Sequence, residues 1–506
     1  MKRILVAILA VLLTFSVAFA SSADGWKEQY ERKEYDAAYP AIKDAADAGD
    51  LDAIAHLAAC LANGYGTEAD PEKGYELALK AAEAGNTYGM LLAGNCLADG
   101  MGTGQDFAKA VEWYQKAADL GDLRGLLNIG ISYEQGESTE QDYAKAFEYY
   151  QKAAELGEPL AFVYLGYMYE DGLGTEPDPA KAFEYYRKAA ELGDILGMFH
   201  LGYAYHYGAG TEQDFAKALE WLQKAADLEY PMAISDLGYM IAFGQGTEPD
   251  PTKAFEYYRK AAELGDILGI FNLGTSYLNG TGTEQDYAKA MEWLQKAADL
   301  GVAEAMVQIG YIYDLGLGTE QDDAKAFEYY RKAAELGNIL GMYNLGTSYL
   351  SGIGTEPDYA KAMEWLQKAA DLGNVEAMMQ IGYIYDLGLG TEPDPAKAFE
   401  YYQKGADLGK SYGMAGAAWM ILTDRVPDPD YTKAVEYFTR SAESGMADAI
   451  FGLGECYYAG KGVEKDPEKA AEYYRKALEA GYELDDPEEE AHVKEVLGEE
   501  FSAIAP

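Results

Sequence analysis

The sequence has few of the side chains that enzymes and metalloproteins most often use for chemistry, with 3 cysteines and 4 histidines in 506 residues. No HExxH, CxxC or GxSxG pattern occurs, and no serine is followed three residues later by lysine. These absences remove the common signatures of zinc proteases, thiol redox centres, serine hydrolases and serine β-lactamases. We therefore predict a protein without catalysis, bound metal or cofactor.

The loops give a weaker hint of metal binding. Asp171, Glu176 and Asp178 cluster near two glycines, and carboxylate oxygens are the ligands that calcium prefers. Their spacing matches no known calcium loop, and Asp178 is placed to cap a helix. Calcium binding stays an open alternative that a melting curve with and without the ion would test.

Positive charge is scarce as well. Lys and Arg number 40 against 86 Asp and Glu, which gives a formal net charge of −46. A surface this acidic repels phosphate backbones and anionic headgroups, so nucleic acids and lipid surfaces are disfavoured partners. It suits a basic partner; the alternative interpretation is a solvated acidic surface that only maintains solubility.

Long apolar runs are confined to the N-terminus. Lys2 and Arg3 precede an apolar stretch over residues 4–17, and residues 18–20, Ala-Phe-Ala, form a small-x-small cleavage pattern. The stretch is shorter than the ~20 residues that span a bilayer. We expect a signal peptide over 1–20, cut after Ala20, and a periplasmic or secreted mature chain without membrane insertion. An uncleaved N-terminal anchor is the alternative.

Beyond these absences, the chain consists almost entirely of one repeated unit. Residues 165–193 read LGYMYEDGLGTEPDPAKAFEYYRKAAELG, and the pattern recurs every 36 residues. A fixed period of this length indicates a solenoid. The leading residue, called position 0 below, occurs twelve times without insertion, at Leu57, Ala93, Ile129, Leu165, Leu201, Leu237, Leu273, Ile309, Leu345, Ile381, Ala417 and Leu453.

Each repeat predicts two helices. Apolar residues around Leu165 fall on helical spacing, and Gly172 and Gly174 end the first helix because glycine adopts positive φ without a Cβ penalty. Asp178 caps the second helix and Pro179 is preorganised for its first turn. The capping Asp recurs in all twelve repeats, at Asp70, Asp106, Asp142, Asp178, Asp214, Asp250, Asp286, Asp322, Asp358, Asp394, Asp430 and Asp466.

The pattern LGxxYxxGxGTxxDxxKAxxYYxKAAxxG resembles the Sel1-like repeat, a relative of the tetratricopeptide repeat with a longer connecting loop. The resemblance extends from Asp52 to about Tyr482. It implies an all-α, right-handed α/α superhelical solenoid of about twelve 36-residue helix-turn-helix repeats. It also implies an adaptor or scaffold, since enzymes are few in the family.

The predicted organisation has four parts. The signal peptide is followed by a partial repeat over 21–50 that caps the N-terminal end, and the solenoid covers 51–482. The repeat led by Ala417 lacks both glycines, so a different loop is expected there. Residues 483–506 are predicted to form an acidic capping helix from Pro487 to about Phe501, with Asp486 as its N-cap.

The three cysteines share one repeat position. Cys60, Cys96 and Cys456 each stand three residues after position 0, where other repeats place small or apolar residues. Stacked helices lie about 8–10 Å apart, whereas a disulfide needs Cα atoms within about 7 Å. We predict free, buried thiols, unlike the cysteine-rich relatives with a disulfide in each repeat.

A candidate binding groove follows from the related tetratricopeptide solenoids, in which the first helix of each repeat lines the concave face. The corresponding positions here are −2, −1, +2, +5 and +6 relative to position 0. Position −1 is polar, at Asn128, His200, Asp236, Asn272, Gln308, Asn344 and Gln380. Position +2 carries Tyr167, Tyr203, Tyr239, Tyr311 and Tyr383, and position −2 carries Phe199, Phe271 and Tyr343.

Amides can pair with a peptide backbone, and aromatic rings supply contact area at little entropic cost. We therefore predict a scaffold that binds a protein or extended peptide along its concave face. Two other functions stay open, namely binding or hydrolysis of β-lactams or peptidoglycan fragments, as in cysteine-rich relatives, and glycan binding by the tyrosines. For single residues, the alternative is that the tyrosines pack between repeats and the amides cap local carbonyls. The oligomeric state is left open.

Overall fold

The computed structural model describes residues 25–136, 141–484, 486–498 and 501, and the regular elements in them are α-helices. The predicted signal peptide lies outside the described residues. Two helices, α1 (Gly25–Glu31) and α2 (Tyr35–Asp47), precede the first repeat. The final helix, α27 (Pro487–Leu497), follows the last repeat. No helix in this described part is both long and apolar enough to cross a bilayer.

Twelve helix pairs lie between these ends, and the predicted all-α solenoid of twelve repeats is confirmed. The first helices, called A helices, are α3 (Leu51–Asn63), α5 (Thr87–Asp99), α7 (Arg124–Gln135), α9 (Pro159–Asp171), α11 (Ile195–Tyr207), α13 (Pro231–Ala242), α15 (Ile267–Asn279), α17 (Ala303–Leu315), α19 (Ile339–Ser351), α21 (Val375–Leu387), α23 (Ser411–Leu422) and α25 (Ala447–Ala459).

The second helices, called B helices, are α4 (Pro71–Glu83), α6 (Phe107–Asp119), α8 (Tyr143–Glu155), α10 (Pro179–Glu191), α12 (Phe215–Asp227), α14 (Pro251–Glu263), α16 (Tyr287–Asp299), α18 (Asp323–Glu335), α20 (Tyr359–Asp371), α22 (Pro395–Asp407), α24 (Tyr431–Ala442) and α26 (Pro467–Glu479). The chain divides inside α14 into two compact units, residues 1–257 and 258–506. Within each unit, an A helix packs on its B helix, which packs on the next A helix.

The ends of the helices follow the predicted chemistry. Gly172 ends α9 with φ of 68°. A Cβ at Gly174 would lie 2.5 Å from the carbonyl oxygen of Tyr143, so only glycine fits. The Asp178 side chain then accepts a hydrogen bond from the backbone N–H of Lys181 at 3.1 Å. All twelve predicted capping aspartates accept such a bond, which confirms them.

Backbone geometry accounts for two parts of the chain that depart from the regular repeat, namely the loop of the Ala417 repeat and the C-terminal helix. In the repeat led by Ala417, Asp424 takes the left-handed conformation with φ of 59° where other repeats place glycine, so the loop differs as expected. At the C-terminus, α27 is capped by Asp486, as predicted, and extends to Leu497. Gly498, with φ of 60°, ends it, and the buried Phe501 packs with Val493 against the last repeat.

The A and B helices approach closely at a glycine that follows position 0. A Cβ at Gly130 would lie 2.5 Å from Cε1 of Tyr150, whose ring is fully buried on α8. In alternate repeats a leucine fills the same space, and a Cβ at Gly202 would lie 2.8 Å from Cγ of Leu222. The missing Cβ therefore makes room for the largest buried side chain of the B helix.

The three cysteines are free and buried, as predicted. Burial raises the pKa of Cys60 and Cys96 to about 11 and that of Cys456 to about 12. These thiols are therefore protonated at neutral pH and are poor nucleophiles.

Replacing Gly130 by alanine should lower the free energy of unfolding by about 1–3 kcal/mol, because the new methyl group overlaps the enclosed Tyr150 ring. Urea denaturation of the mature chain, followed by circular dichroism, measures the change. Gly104→Ala is the matched control, since nothing lies within 4 Å of a Cβ at that loop position. Equal losses in the two variants would contradict the proposed packing.

Candidate functional site

The predicted site lies on the A helices, and the residue at position 0 fixes which side of each helix faces inward. Ile129 and Leu201 at this position are fully buried. Positions −1 and +2 are three residues apart, and residues at this spacing are neighbours on a helix surface. They therefore lie together on one side of the A helix, beside the buried position 0. A residue at either position can contact a partner only as far as its own exposure allows.

The polar position −1 is half-buried in every predicted case. The residues with this intermediate exposure are Asn128, His200, Asp236, Asn272, Gln308, Asn344 and Gln380. Because position −1 is neither in the core nor fully solvated, it can hold an amide, an imidazole or a carboxylate group. It leaves part of each residue accessible.

Some of these groups bond to position +2 of the preceding repeat. Asn128 donates a hydrogen bond from Nδ2 to Oδ1 of Asn95 at 3.3 Å. The Tyr167 hydroxyl and His200 Nε2 are hydrogen-bonded at 2.6 Å. For these pairs the interpretation as inter-repeat packing holds, since each bond joins two adjacent A helices.

The remaining tyrosines at position +2 face solvent. Tyr203, Tyr239, Tyr311 and Tyr383 are between 37 and 47% exposed, whereas Tyr167 is half-buried. These four phenol rings project from repeated positions on the A helices. They are accessible to a partner without any rearrangement.

Position −2 is less exposed than position +2. Phe199 is only 5% exposed, so little of its ring is open at the surface. The Tyr230 ring, 5.1 Å away between centroids, packs against it from the loop before α13. Phe271 and Tyr343 at the equivalent position are half-buried.

The most exposed large side chains of the A helices were not named one by one in the sequence analysis. Tyr207, Phe243, Leu315 and Leu387 at position +6 are 51 to 65% exposed. Each lies one helical turn after a tyrosine at position +2. The Tyr203 and Tyr207 ring centroids are 4.4 Å apart. The i,i+4 spacing of large apolar residues was the signal that could have identified these pairs.

Carboxylates at position +5 are a second missed feature. The buried Tyr186 of α10 donates a hydrogen bond to Oε2 of Glu170 at 2.5 Å, and Tyr150 donates to Oε2 of Glu134 at 2.7 Å. Burial, then the nearby carboxylate, raises the pKa of Tyr186 well above its usual value. The hydroxyl of a core tyrosine thus fixes a carboxylate on the A helix.

The sequence carries a signal for these pairs. In several repeats whose B helix has tyrosine, at Tyr150, Tyr186 and Tyr330, position +5 of the A helix is acidic, at Glu134, Glu170 and Asp314. Where it has leucine, as at Leu222, Leu294 and Leu366, position +5 holds His206, Leu278 and Leu350. A phenol needs an acceptor and leucine does not. The acceptor is not always at position +5, because Tyr114 and Tyr474 donate to Asn95 and Glu455 at position +2.

His200 is enclosed by aromatic rings. Tyr186 stacks on it with centroids 4.9 Å apart, and Tyr167 meets it edge-on at 4.9 Å. Burial lowers the pKa of His200 to about 4, and it raises that of Tyr167 well above the usual value. An activated phenol nucleophile would need a lowered pKa. The pair is therefore built for structure rather than for nucleophilic attack.

Within the described ranges, no group of three or more His, Cys, Asp and Glu side chains is arranged to hold a metal ion. The cluster of loop carboxylates considered for calcium therefore provides no assembled site there. Asp178 is bound instead to the backbone of α10 and lies near Lys181, with 3.5 Å between Oδ2 and Nζ.

The geometry defines the class of protein, a helical repeat scaffold with a part-polar, part-aromatic face. The Sel1 repeat family model matches residues 51–86, 87–122, 124–158, 161–194, 195–230, 231–266, 267–302, 303–338, 339–374, 375–410, 411–446 and 447–482. The chain belongs to the Sel1 repeat family. Sel1 repeat proteins generally act as scaffolds for interactions between proteins.

One solved structure agrees with this assignment. The chain is similar to c5321, described as a protective antigen of uropathogenic Escherichia coli with an SLR fold, at 32% identity and a TM-score of 0.66. That match covers 85% of this chain and 95% of the other. A Sel1 repeat protein from Oxalobacter formigenes is 28% identical over 55% of this chain and 96% of its own, with a TM-score of 0.35. No curated protein matches the chain.

Replacing His200 by asparagine, the residue at this position in other repeats, should remove a pH-dependent part of the stability. Because the folded pKa lies below the unfolded value of about 6.5, stability is complete above pH 7 and is lost as the pH falls towards 4. Between pH 7 and pH 5 the parent chain should lose about 2 kcal/mol more than the variant. Urea titrations at both values measure this, and equal losses would exclude a buried neutral His200.

Proposed function

We propose that the chain is a periplasmic or secreted scaffold that binds a protein partner as an extended segment along the concave face formed by its A helices. The observation that carries the proposal is the repeated exposure of large apolar pairs at positions +2 and +6. The first unit presents Tyr203 with Tyr207 and Tyr239 with Phe243, and the second presents Tyr311 with Leu315 and Tyr383 with Leu387.

Single exposed apolar residues are normal on proteins and need no explanation. Here the exposure recurs at the same two positions of several repeats, one turn apart on each helix. Tyrosine buries a large area at low entropic cost, which is why it is frequent among the residues that dominate binding energy. The repeated pairs therefore support a binding surface rather than chance exposure.

Polar groups beside these pairs give the surface hydrogen-bonding capacity. Asn272, Gln308 and Asn344 are half-buried on the A helices of the second unit, and an amide both donates and accepts. That combination matches the N–H and C=O groups of an extended peptide backbone. Partial burial also limits the number of rotamers that must be fixed on binding.

The negative net charge of the chain favours one class of partner. Removal of residues 1–20 takes away Lys2 and Arg3 and leaves a formal charge of −48. Carboxylates at position +5, such as Glu134 and Glu170, lie on A helices of the same unit as the pairs Tyr203–Tyr207 and Tyr239–Phe243. Opposite charges across an interface speed association and suppress wrong partners, so a basic segment is favoured.

The location rests on the N-terminal sequence, whose charged start, apolar run and small-x-small pattern are typical of a cleaved signal peptide.

Replacing Tyr203, Tyr239, Tyr311 and Tyr383 together by alanine should weaken capture of the partner at least about tenfold, because each loses an exposed aromatic contact. The measurement is crosslinking in the native cell followed by quantitative recovery of the crosslinked species. The control replaces Leu192, Leu228, Leu300 and Leu336, which are similarly exposed at the ends of B helices, by alanine. Unchanged recovery in the tyrosine variant, or equal loss in both, would refute the assigned face.

Expression of the full chain in a Gram-negative host should yield a product that begins at Ser21 and is about 2 kDa lighter than the precursor. Intact mass and N-terminal sequencing of the periplasmic fraction measure this. Ala20→Arg should block cleavage, since the cleavage site requires a small residue. A parent chain that keeps Met1 and stays with the membrane fraction would show an uncleaved anchor instead.

A further inference from the structure

A pocket of about 250 Å³ opens on the first unit, between α9, α10 and α11. Four aromatic side chains line it, namely Phe183, Tyr186, Phe199 and Tyr203. Met232 contributes an apolar thioether. Phe199, which is too buried to lie on the outer face, thus forms part of the wall of this pocket.

The lining of the pocket carries negative charge and no positive charge. Glu170 lies in the lining, and its Oε2 accepts a hydrogen bond from Tyr186. Neither lysine nor arginine is among the lining residues, and within the described chain Glu170 has no ion-pair partner. His200 also lines the pocket and is neutral at pH 7, since burial lowers its pKa to about 4.

A second carboxylate affects Tyr203, which is one of the residues that line the pocket. The pKa of Tyr203 is raised, first by burial and then by the charges of Glu170 and Asp236. Both carboxylates are therefore near the Tyr203 hydroxyl at the edge of the pocket. Aromatic faces within and carboxylates at the edge are the two features that attract an organic cation.

We propose that this pocket binds an organic cation, and that its occupant is the lysine or arginine side chain of the bound protein segment. The proposal rests on the proposed scaffold function and names one anchor of the partner. An anion would meet the charge of Glu170, and a neutral apolar group would leave the charge of that carboxylate uncompensated.

The dimensions and chemistry suit such a side chain. A cavity of about 150 Å³ accepts benzene in other proteins, so the space here holds a cationic head with part of its methylene stem. The stem would lie against Phe199 and Met232, while the head meets the ring faces and Glu170. The charge stays at the open side, where it keeps part of its hydration.

The test uses three small probes and the mature full-length chain, so it needs no knowledge of the partner. Choline and Nα-acetyl-lysinamide supply a quaternary and a primary ammonium group, and 3,3-dimethyl-1-butanol is the neutral isostere of choline. Ligand-detected NMR titrations give the dissociation constants. Both cations should bind, and the neutral alcohol should bind about three- to thirty-fold more weakly than choline.

Two substitutions tie binding to this pocket. Glu170→Gln removes the charge and Tyr203→Ala removes a ring, and each should weaken both cations about three- to thirty-fold. Glu220→Gln is the matched control, since it removes one exposed carboxylate, paired with Lys224 on α12, from the same unit. Its dissociation constants should equal those of the parent chain. Circular dichroism verifies that each variant is folded.

Each result decides the proposal. Equal binding of choline and its neutral isostere, no binding of either cation, or no effect of Glu170→Gln would overturn the cation pocket. Binding of choline without binding of the lysine derivative would overturn the assigned occupant in favour of a free quaternary ammonium compound. Crosslinking to a partner that survives loss of cation binding would leave the scaffold function standing and remove only its anchor.

Discussion

Close approach of the two helices in each repeat is the constraint on which the rest of the structure depends. A pair of short helices buries too little surface to be stable alone, so it relies on its neighbours. The glycine after position 0 lets a large B-helix side chain reach the A helix, as Tyr150 does at Gly130. Without that missing Cβ, the buried ring and the helix backbone would occupy the same space.

The same contact determines part of the surface chemistry. The Tyr186 hydroxyl, carried by a ring in the core, donates to Glu170 on the A-helix face. A leucine such as Leu222 makes no such demand, and its repeat has His206 in the equivalent place. In these two repeats the core residue therefore matches the presence or absence of a carboxylate on the A helix. The acidity of the face is in part a consequence of packing.

The fold was largely predictable because its determinants are local. A capping aspartate acts on an N–H three residues away, and a left-handed glycine acts on its own turn, so period and caps sufficed. Locally encoded features of the repeat were thus the most reliable predictions.

The candidate site was less predictable because exposure depends on residues outside the repeat pattern. Phe199 occupies a position expected to face a partner, but the Tyr230 ring covers it. Most other repeats place aspartate, asparagine or another smaller residue where Tyr230 stands, so the pattern alone does not reveal the covering. The exposed pairs at position +6 were overlooked for a related reason. An exposed residue at position +6 indicates a binding surface only when position +2 of the same helix is exposed as well.

The polar residues on the A helices serve two purposes that can be separated by exposure. The bond between Tyr167 and His200 links adjacent helices, so a change at either residue alters stability together with any effect on binding. Tyr203 and Tyr311 project into solvent from the same repeat position, and removing such a ring exposes little of the core. Recognition in a solenoid can therefore change at the exposed repeats while the bonded repeats keep neighbouring helices in register. This division lets one repeated sequence supply both the framework and the binding surface.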